Sequence, residues 1–170
     1  KGNIVGFNRF DDHSRKPNPY VYFGSFNTDP EYGNGKLGEA VYKASLQREL
    51  TKGVPVHADC DPTSPITAKY LESGFVATTH FTFSRKPSFH IVHPNMPNIP
   101  WASSALSPDA LLALGENNAI RVRALDEGDA FPELGEGKVL VRLVTQGGVS
   151  YGVFEKPPAE MVEILKEPHP

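Results

Sequence analysis

Hydrophobic and polar positions follow two periods in the first half of the chain, which predicts a mixture of strands and helices. Four segments alternate, or are rich in aromatic and β-branched residues, as strands are: 3–10, 20–27, 54–58 and 75–83. Two further segments, 36–50 and 66–73, read as helices from their apolar spacing and flanking turn residues. The helix at 36–50 should connect two parallel strands by a right-handed crossover.

The helix at 36–50 has apolar residues on more than one side. One predicted face consists of Leu37, Ala40, Val41 and Ala44. The other side carries Tyr42, Leu46 and Leu50. We therefore expect this helix to be covered on more than one face, with Gly53 as its stop signal.

From Lys86 the pattern changes, and proline replaces periodicity. The segment 86–108 contains five prolines, which predicts a linker or an ordered loop, with Trp101 as an anchor in preference to a substrate-pocket residue. Beyond it, short helices at 108–114 and 159–165 and strands at 120–124, 138–146 and 149–155 are expected, with Gly147-Gly148 forming a hairpin turn. The predicted domains are a core (1–85), a linker (86–108) and a β-hairpin-containing extension (109–170).

Composition and charge narrow the function classes. The chain is 39% hydrophobic and 22% charged, as soluble globular proteins are. It contains no run of eighteen apolar residues, so the sequence predicts no membrane span. A net charge of −3 without a basic cluster argues against a nucleic-acid partner. The single cysteine, Cys60, excludes an internal disulfide and favours a cytoplasmic location, with a secreted effector as the alternative.

A glycine-rich turn lies between the second strand and the first helix. It consists of Gly33, Asn34, Gly35, Lys36, Leu37 and Gly38. A helix that begins after a strand offers unpaired backbone N–H groups and its positive dipole end to an anion, and glycines permit close approach by phosphate. The spacing also matches a dinucleotide fingerprint, but the acidic residue which that fold requires is matched only approximately by Asp59.

Further residues around this turn carry a family resemblance. Asp29-Pro30-Glu31-Tyr32 follows a strand, Gly38 stands eight residues after Pro30, and a later helix ends in Tyr70-x-x-x-Gly74-Phe75. In this order and spacing, residues 1–85 resemble the GNAT acetyltransferase superfamily. The sequence departs from the family pattern at three positions, Gly33, Lys36 and Thr63.

The resemblance implies the fold class α/β (α+β): a GNAT-like mixed sheet with flanking helices, N-terminally incomplete, plus a C-terminal β-rich extension. The elements missing from the N-terminal side would come from a preceding segment, the C-terminal half or a partner chain. The implied cosubstrate is acetyl-CoA or another acyl-CoA. Its phosphates would meet the glycine-rich turn, and its pantetheine arm would meet the backbone of Phe26, Asn27 and Thr28.

The implied reaction is direct attack of an amine, from a small molecule or a protein, on the thioester. Tyr70 is the expected general acid for the departing thiolate, because a phenol is protonated at neutral pH. His57, Glu31 and His80 remain alternatives for the base. Cys60 is disfavoured as a nucleophile by its neighbouring carboxylates, and no metal is expected because adjacent strand residues do not converge.

The sequence leaves a second function class open. The altered turn and the unassigned base are also typical of a family member that has lost catalysis. The alternative is therefore a non-catalytic protein-interaction module, in an effector or a regulatory protein, on a degenerate GNAT fold.

Overall fold

The computed structural model describes residues 6–29, 31, 36–114, 119–125 and 131–166. The chain divides into two compact units, and the division falls between Ala58 and Asp59.

The first unit is built on a mixed sheet with one long helix. Strands β1 (Gly6–Asp12) and β2 (Val21–Thr28) are antiparallel, and β1 has an irregularity between Asn8 and Phe10. Helix α1 (Lys36–Leu50) follows β2, and β3 (Val56–Cys60), within which the division falls, pairs in parallel with β2. The predicted connection of two parallel strands by this helix is confirmed.

The buried face of α1 differs from the predicted one. Tyr42, Leu46 and Glu49 are buried, whereas two members of the predicted face, Ala40 and Ala44, are exposed. Tyr42 and Leu46 are buried in preference to the two alanines, because burial of their larger apolar area stabilises the helix more. The ring of Tyr42 packs edge-on against Phe23 of β2, with centroids 5.9 Å apart.

A charge network holds the end of α1 in the first unit. The Glu49 carboxylate is 1% exposed and accepts Arg48 Nε at 2.8 Å, and it also forms an ion pair with Lys52. Lys52 Nζ lies 2.6 Å from Asp12 Oδ2, and this hydrogen bond holds the pKa of Asp12 well below its usual range. Arg48 also lies over the Phe10 ring, 5.3 Å from its centroid. The helix end is thereby tied to β1.

Five strands and several short helices lie in the described part of the second unit. Its strands are β4 (Val76–Phe83), β5 (Lys86–His93), β6 (Ile120–Ala124), β7 (Val139–Gln146) and β8 (Val149–Glu155). Its helices are α2 (Pro65–Glu72), α3 (Pro108–Leu112) and α4 (Pro132–Gly135), with 3-10 turns at Ala102–Ala105 and Ala159–Met161. The strands lie in the order β5, β4, β7, β8, β6, and each is antiparallel to its neighbours.

The structure corrects the secondary structure expected after residue 86. Lys86–His93 is a strand paired with β4, not the first part of a linker. Its hairpin turn consists of Ser84 and Arg85, both at positive φ. Such turns are normally marked by glycine or asparagine, so the sequence offered no signal. The predicted Gly147-Gly148 turn, by contrast, is confirmed, because both glycines have positive φ between β7 and β8.

The proline-rich segment beyond β5 packs on the core of the second unit. Trp101 lies against a buried cluster that includes Val76 and Val92 of the sheet, which supports its predicted role as an anchor. Directly after it, the buried Glu155 carboxylate accepts the backbone N–H groups of Ala102 and Ser103 at 2.8 and 2.9 Å. Apolar packing and two charge-assisted hydrogen bonds together fix the segment.

Candidate functional site

The carboxyl end of β2 and the start of α1 form the first part of the candidate site. Asn27 is exposed and Thr28 is half-buried; Phe26 lies within β2. Beyond the strand, Asp29 Oδ1 accepts the backbone N–H of the exposed Glu31 at 3.0 Å, as an Asx turn does. Gly33, Asn34 and Gly35 lie outside the described residues.

The first turn of α1 supplies the remaining predicted ligands of phosphate. Lys36 is exposed, and Leu37 and Gly38 are half-buried. Glu39, the acidic residue in this turn, forms an ion pair with Lys43 at 2.6 Å. A helix of this length has a positive N-terminal end whose N–H groups bind anions.

His57 contacts an aromatic group in the first unit, in which Tyr20 lies between His57 and His13. It is 2% exposed, and in the register of β2 and β3 it stands opposite Tyr22. The Tyr20 ring lies edge-on to His57 with centroids 5.4 Å apart, and His13 stacks on Tyr20 at 4.5 Å. The two tyrosines were not predicted as site residues; only the register of the parallel pair brings Tyr22 beside the imidazole.

Tyr70 lies on α2 in the second unit, as does His80 on β4, whereas His57 and Glu31 lie in the first. It is 6% exposed, and its ring packs edge-on against Phe75 at 5.1 Å. The helix that carries it begins with a cap from Ser64, whose hydroxyl accepts the Ile66 N–H at 3.4 Å. The Thr67 hydroxyl donates to the Asp61 carbonyl at 2.6 Å, so the segment before α2 is fixed as well.

Thr63, which occupies a position where the family has asparagine, has a local structural role. Its backbone N–H and its hydroxyl both donate to Asp61 Oδ1 at 2.8 Å. These bonds lower the pKa of Asp61. The turn before α2 is thus stabilised without the amide side chain.

Gly74 and His93 form a tight contact directly after α2. Gly74 has φ +98°, and a Cβ atom there would lie 2.9 Å from His93 Nε2. His93 Nδ1 accepts the Asn95 N–H at 3.0 Å, so the neutral ring carries its proton on Nε2. Burial lowers the pKa of His93, while a hydrogen bond with the Ser73 backbone partly opposes that effect. The glycine of the predicted motif is therefore required by space as well as by backbone conformation.

We expect the second unit to lose stability as the pH falls below about 6.5. Burial lowers the folded-state pKa of both His93 and His80, so the stability these neutral rings contribute is present above the unfolded value and lost on acidification. Thermal midpoints at pH 7.5 and 5.5 measure the loss. Asp61 and Glu136 have lowered pKa values and remain ionised in this window. An unchanged difference between the two pH values in a His93→Gln, His80→Gln double variant would contradict the assignment.

Asp59 and Cys60 lie at the end of β3. Asp59 Oδ1 lies 2.8 Å from His90 Nδ1 of β5, an arrangement that orients an imidazole. Sequence reasoning missed this pair, because its members are 31 positions apart and only strand pairing brings them together. Cys60 is buried, and burial raises its pKa to about 11, so the thiol is not an activated nucleophile.

Metal and membrane sites were sought in the described parts of the chain. Within them, no group of three or more His, Cys, Asp or Glu side chains could hold a metal ion. The described helices include none that is long and apolar enough to cross a membrane.

Comparison with known proteins gives matches to solved structures alone. Neither the models of known protein families nor the curated protein sequences match this chain. Ard1 from Thermoplasma volcanium matches 54% of the chain at 20% identity, with a TM-score of 0.46 and 63% of its own length covered. The chain is similar to GNAT acetyltransferase structures over about half of its length.

Two other similar structures are complexes with CoA or with a CoA-containing bisubstrate analogue. The NatC complex bound to Gag peptide and CoA matches 52% of this chain at 12% identity, with TM-score 0.43 and 59% of that chain covered. Arabidopsis thaliana Naa50 in complex with the bisubstrate analogue CoA-Ac-MVNAL matches 52% at 13% identity, with TM-score 0.44 and 64% covered. The chain thus spans about three fifths of the length of these structures.

Proposed function

We propose that this chain is an acyl-CoA-dependent N-acyltransferase, which transfers an acetyl or similar acyl group to an amine. One observation carries the proposal. A 15-residue helix begins just beyond the carboxyl end of β2, and β2 pairs in parallel with the strand that follows the helix. The N-terminal end of a helix in this position can bind a diphosphate such as that of CoA through its backbone N–H groups.

The proposed contacts with CoA come from both sides of that junction. The backbone at Phe26, Asn27 and Thr28 would meet the pantetheine arm. The glycine-rich turn from Gly33 to Gly38 would hold the diphosphate, and Lys36, exposed at the first position of α1, would add a positive charge. Since the N–H groups supply most of the binding, the lysine at a family glycine position is compatible with this role.

The chemistry requires a group that accepts the amine proton and one that donates to the thiolate. Tyr70 is the proposed acid, as a phenol remains protonated at neutral pH. His57 and Glu31 are the proposed alternatives for the base. The Asp59–His90 pair is a third, because an imidazole oriented by a carboxylate is a common general base. The acceptor is an amine of a small molecule or a protein.

Binding of acetyl-CoA, measured by calorimetry, tests the proposal. We expect micromolar affinity, weakened about tenfold by Lys36→Glu because the added carboxylate repels the diphosphate. Lys16→Glu is the matched control: it makes the same charge change on an exposed residue before β2, at the other end of that strand, and it should bind normally.

The outcomes separate the two function classes. Saturable binding that falls in Lys36→Glu alone justifies a screen for the amine acceptor. No binding by a folded sample would refute the enzyme and favour the non-catalytic interaction module. Equal losses in the two variants would show that net charge, and not the helix end, governs binding.

A further inference from the structure

We propose that a groove between α2 and β7 in the second unit binds an extended peptide segment carrying a basic side chain. Two adjoining cavities of about 420 and 590 Å³ lie there. Both are lined by Ala68, Glu72 and Leu143, so they form one continuous depression, called the α2–β7 groove below.

The dimensions of the α2–β7 groove suit an extended chain. Val141, Leu143 and Thr145 alternate along β7 and line its length, which is about 14 Å at the rise of a strand. Trp101 lines one cavity, and Val149, which is 40% exposed, lines the other. At about 3.3 Å per residue, a segment of roughly five residues spans this distance.

The lining is chemically suited to a peptide backbone. The lining combines aliphatic side chains with hydroxyl-bearing residues, among them Ser64 and Ser150 in one cavity and Ser103 and Ser104 in the other. Hydroxyls both donate and accept, so they can satisfy peptide N–H and C=O groups that leave water. The apolar floor between them accommodates small aliphatic side chains.

The charge of the groove selects a cation. Glu72 lines both cavities, and its exposed carboxylate forms no hydrogen bond or ion pair with any of the residues described. It is also the last residue of α2, where the helix dipole adds negative potential. The other charged lining residue, Arg142, already donates from Nη1 to the Leu106 carbonyl at 3.2 Å. Glu72 is thus the charged residue that lines both cavities, whereas Arg142 lines one of them, and the complement of the shared carboxylate is a lysine or arginine side chain.

Fluorescence anisotropy with a dye-labelled, end-blocked heptapeptide, Ala-Val-Ala-Lys-Ala-Val-Ala, tests the groove. We expect saturable binding with a Kd below about 1 mM, weakened about fivefold when norleucine replaces the lysine or when Glu72→Gln removes the charge. Ala68→Met narrows the groove with a good helix former and should reduce binding to a similar extent. Glu160→Gln, an exposed carboxylate that lines neither cavity, is the matched control.

The peptide-binding results test the α2–β7 groove independently of acetyl-CoA binding. Because the proposed site needs no cosubstrate, normal acetyl-CoA binding by Glu72→Gln with weakened peptide binding supports it. Equal binding of the lysine and norleucine peptides, equal binding by Glu72→Gln and the parent, or no binding at all overturns the proposal. A circular dichroism spectrum and a thermal midpoint equal to those of the parent exclude misfolding as the cause. An N-terminally unblocked norleucine peptide that binds like the lysine peptide would show that an α-amine is recognised instead, which also overturns it.

Discussion

Gly74→Ala is expected to reduce the free energy of unfolding of the second unit by about 3–4 kcal/mol. Backbone strain at a positive φ accounts for about 1–3 kcal/mol of this in a residue with a side chain. The new methyl group would also lie 2.9 Å from His93 Nε2 and would displace the imidazole. The hydrogen bond between His93 and the Ser73 backbone would be weakened in consequence.

Gly137→Ala separates the two contributions. Gly137 has φ +78°, but a Cβ atom there meets nothing within 4 Å, so this variant has backbone strain without a clash and should lose about 1 kcal/mol. Chemical denaturation measures both losses. The double variant Gly74→Ala, His93→Ala should lose less than the sum of its single changes, because removing the ring removes the clash. Additive losses would show that His93 is not the obstacle.

Glu155→Ala should cost about 3–5 kcal/mol, with its largest local effect at the 3-10 turn after Trp101. The carboxylate is 4% exposed and accepts two backbone N–H groups, each a charge-assisted bond that contributes about 1.5–3 kcal/mol. Alanine would leave the buried Ser103 N–H and the part-buried Ala102 N–H without this acceptor. The amides of Ala102 and Ser103 should then exchange with solvent hydrogen at least tenfold faster.

Two variants sharpen this measurement. Glu155→Gln keeps the shape and one acceptor oxygen but turns an amide N–H₂ towards the second donor, so it should lose an intermediate amount. Glu160→Ala removes an exposed carboxylate from the same unit and should change stability by less than about 0.5 kcal/mol. Protected amides at 102 and 103 in Glu155→Ala would mean that packing of Trp101 alone holds the segment.

The parts of the fold that the sequence predicted well are those governed by local chemistry. The bounds of α1 follow from its apolar spacing, and the β7–β8 hairpin follows from two glycines that tolerate positive φ. The β4–β5 hairpin was missed because Ser84 and Arg85 make the same kind of turn without such residues. There, the pairing of the flanking strands imposes a conformation that local propensity does not favour.

For the candidate site, the sequence predicted which elements carry the residues better than it predicted which side chains contact one another. The spacing around Tyr70 and Gly74 placed a tyrosine on a helix followed by a glycine turn, as the structure has it. The contact of Gly74 with His93 and the pairing of Asp59 with His90 depend on strand register, which single-residue patterns do not encode. The roles of the predicted residues in binding and catalysis remain predictions.

The burial of the only cysteine has a practical consequence for labelling experiments. With a pKa raised to about 11 by burial, Cys60 is a thiolate at neutral pH on the order of 100 times less often than an ordinary cysteine, and its sulfur is shielded as well. A cysteine introduced at an exposed position such as Lys16 will therefore react with a maleimide long before Cys60 does. The natural sequence can thus carry a fluorophore or a spin label at one chosen site without prior removal of its own thiol.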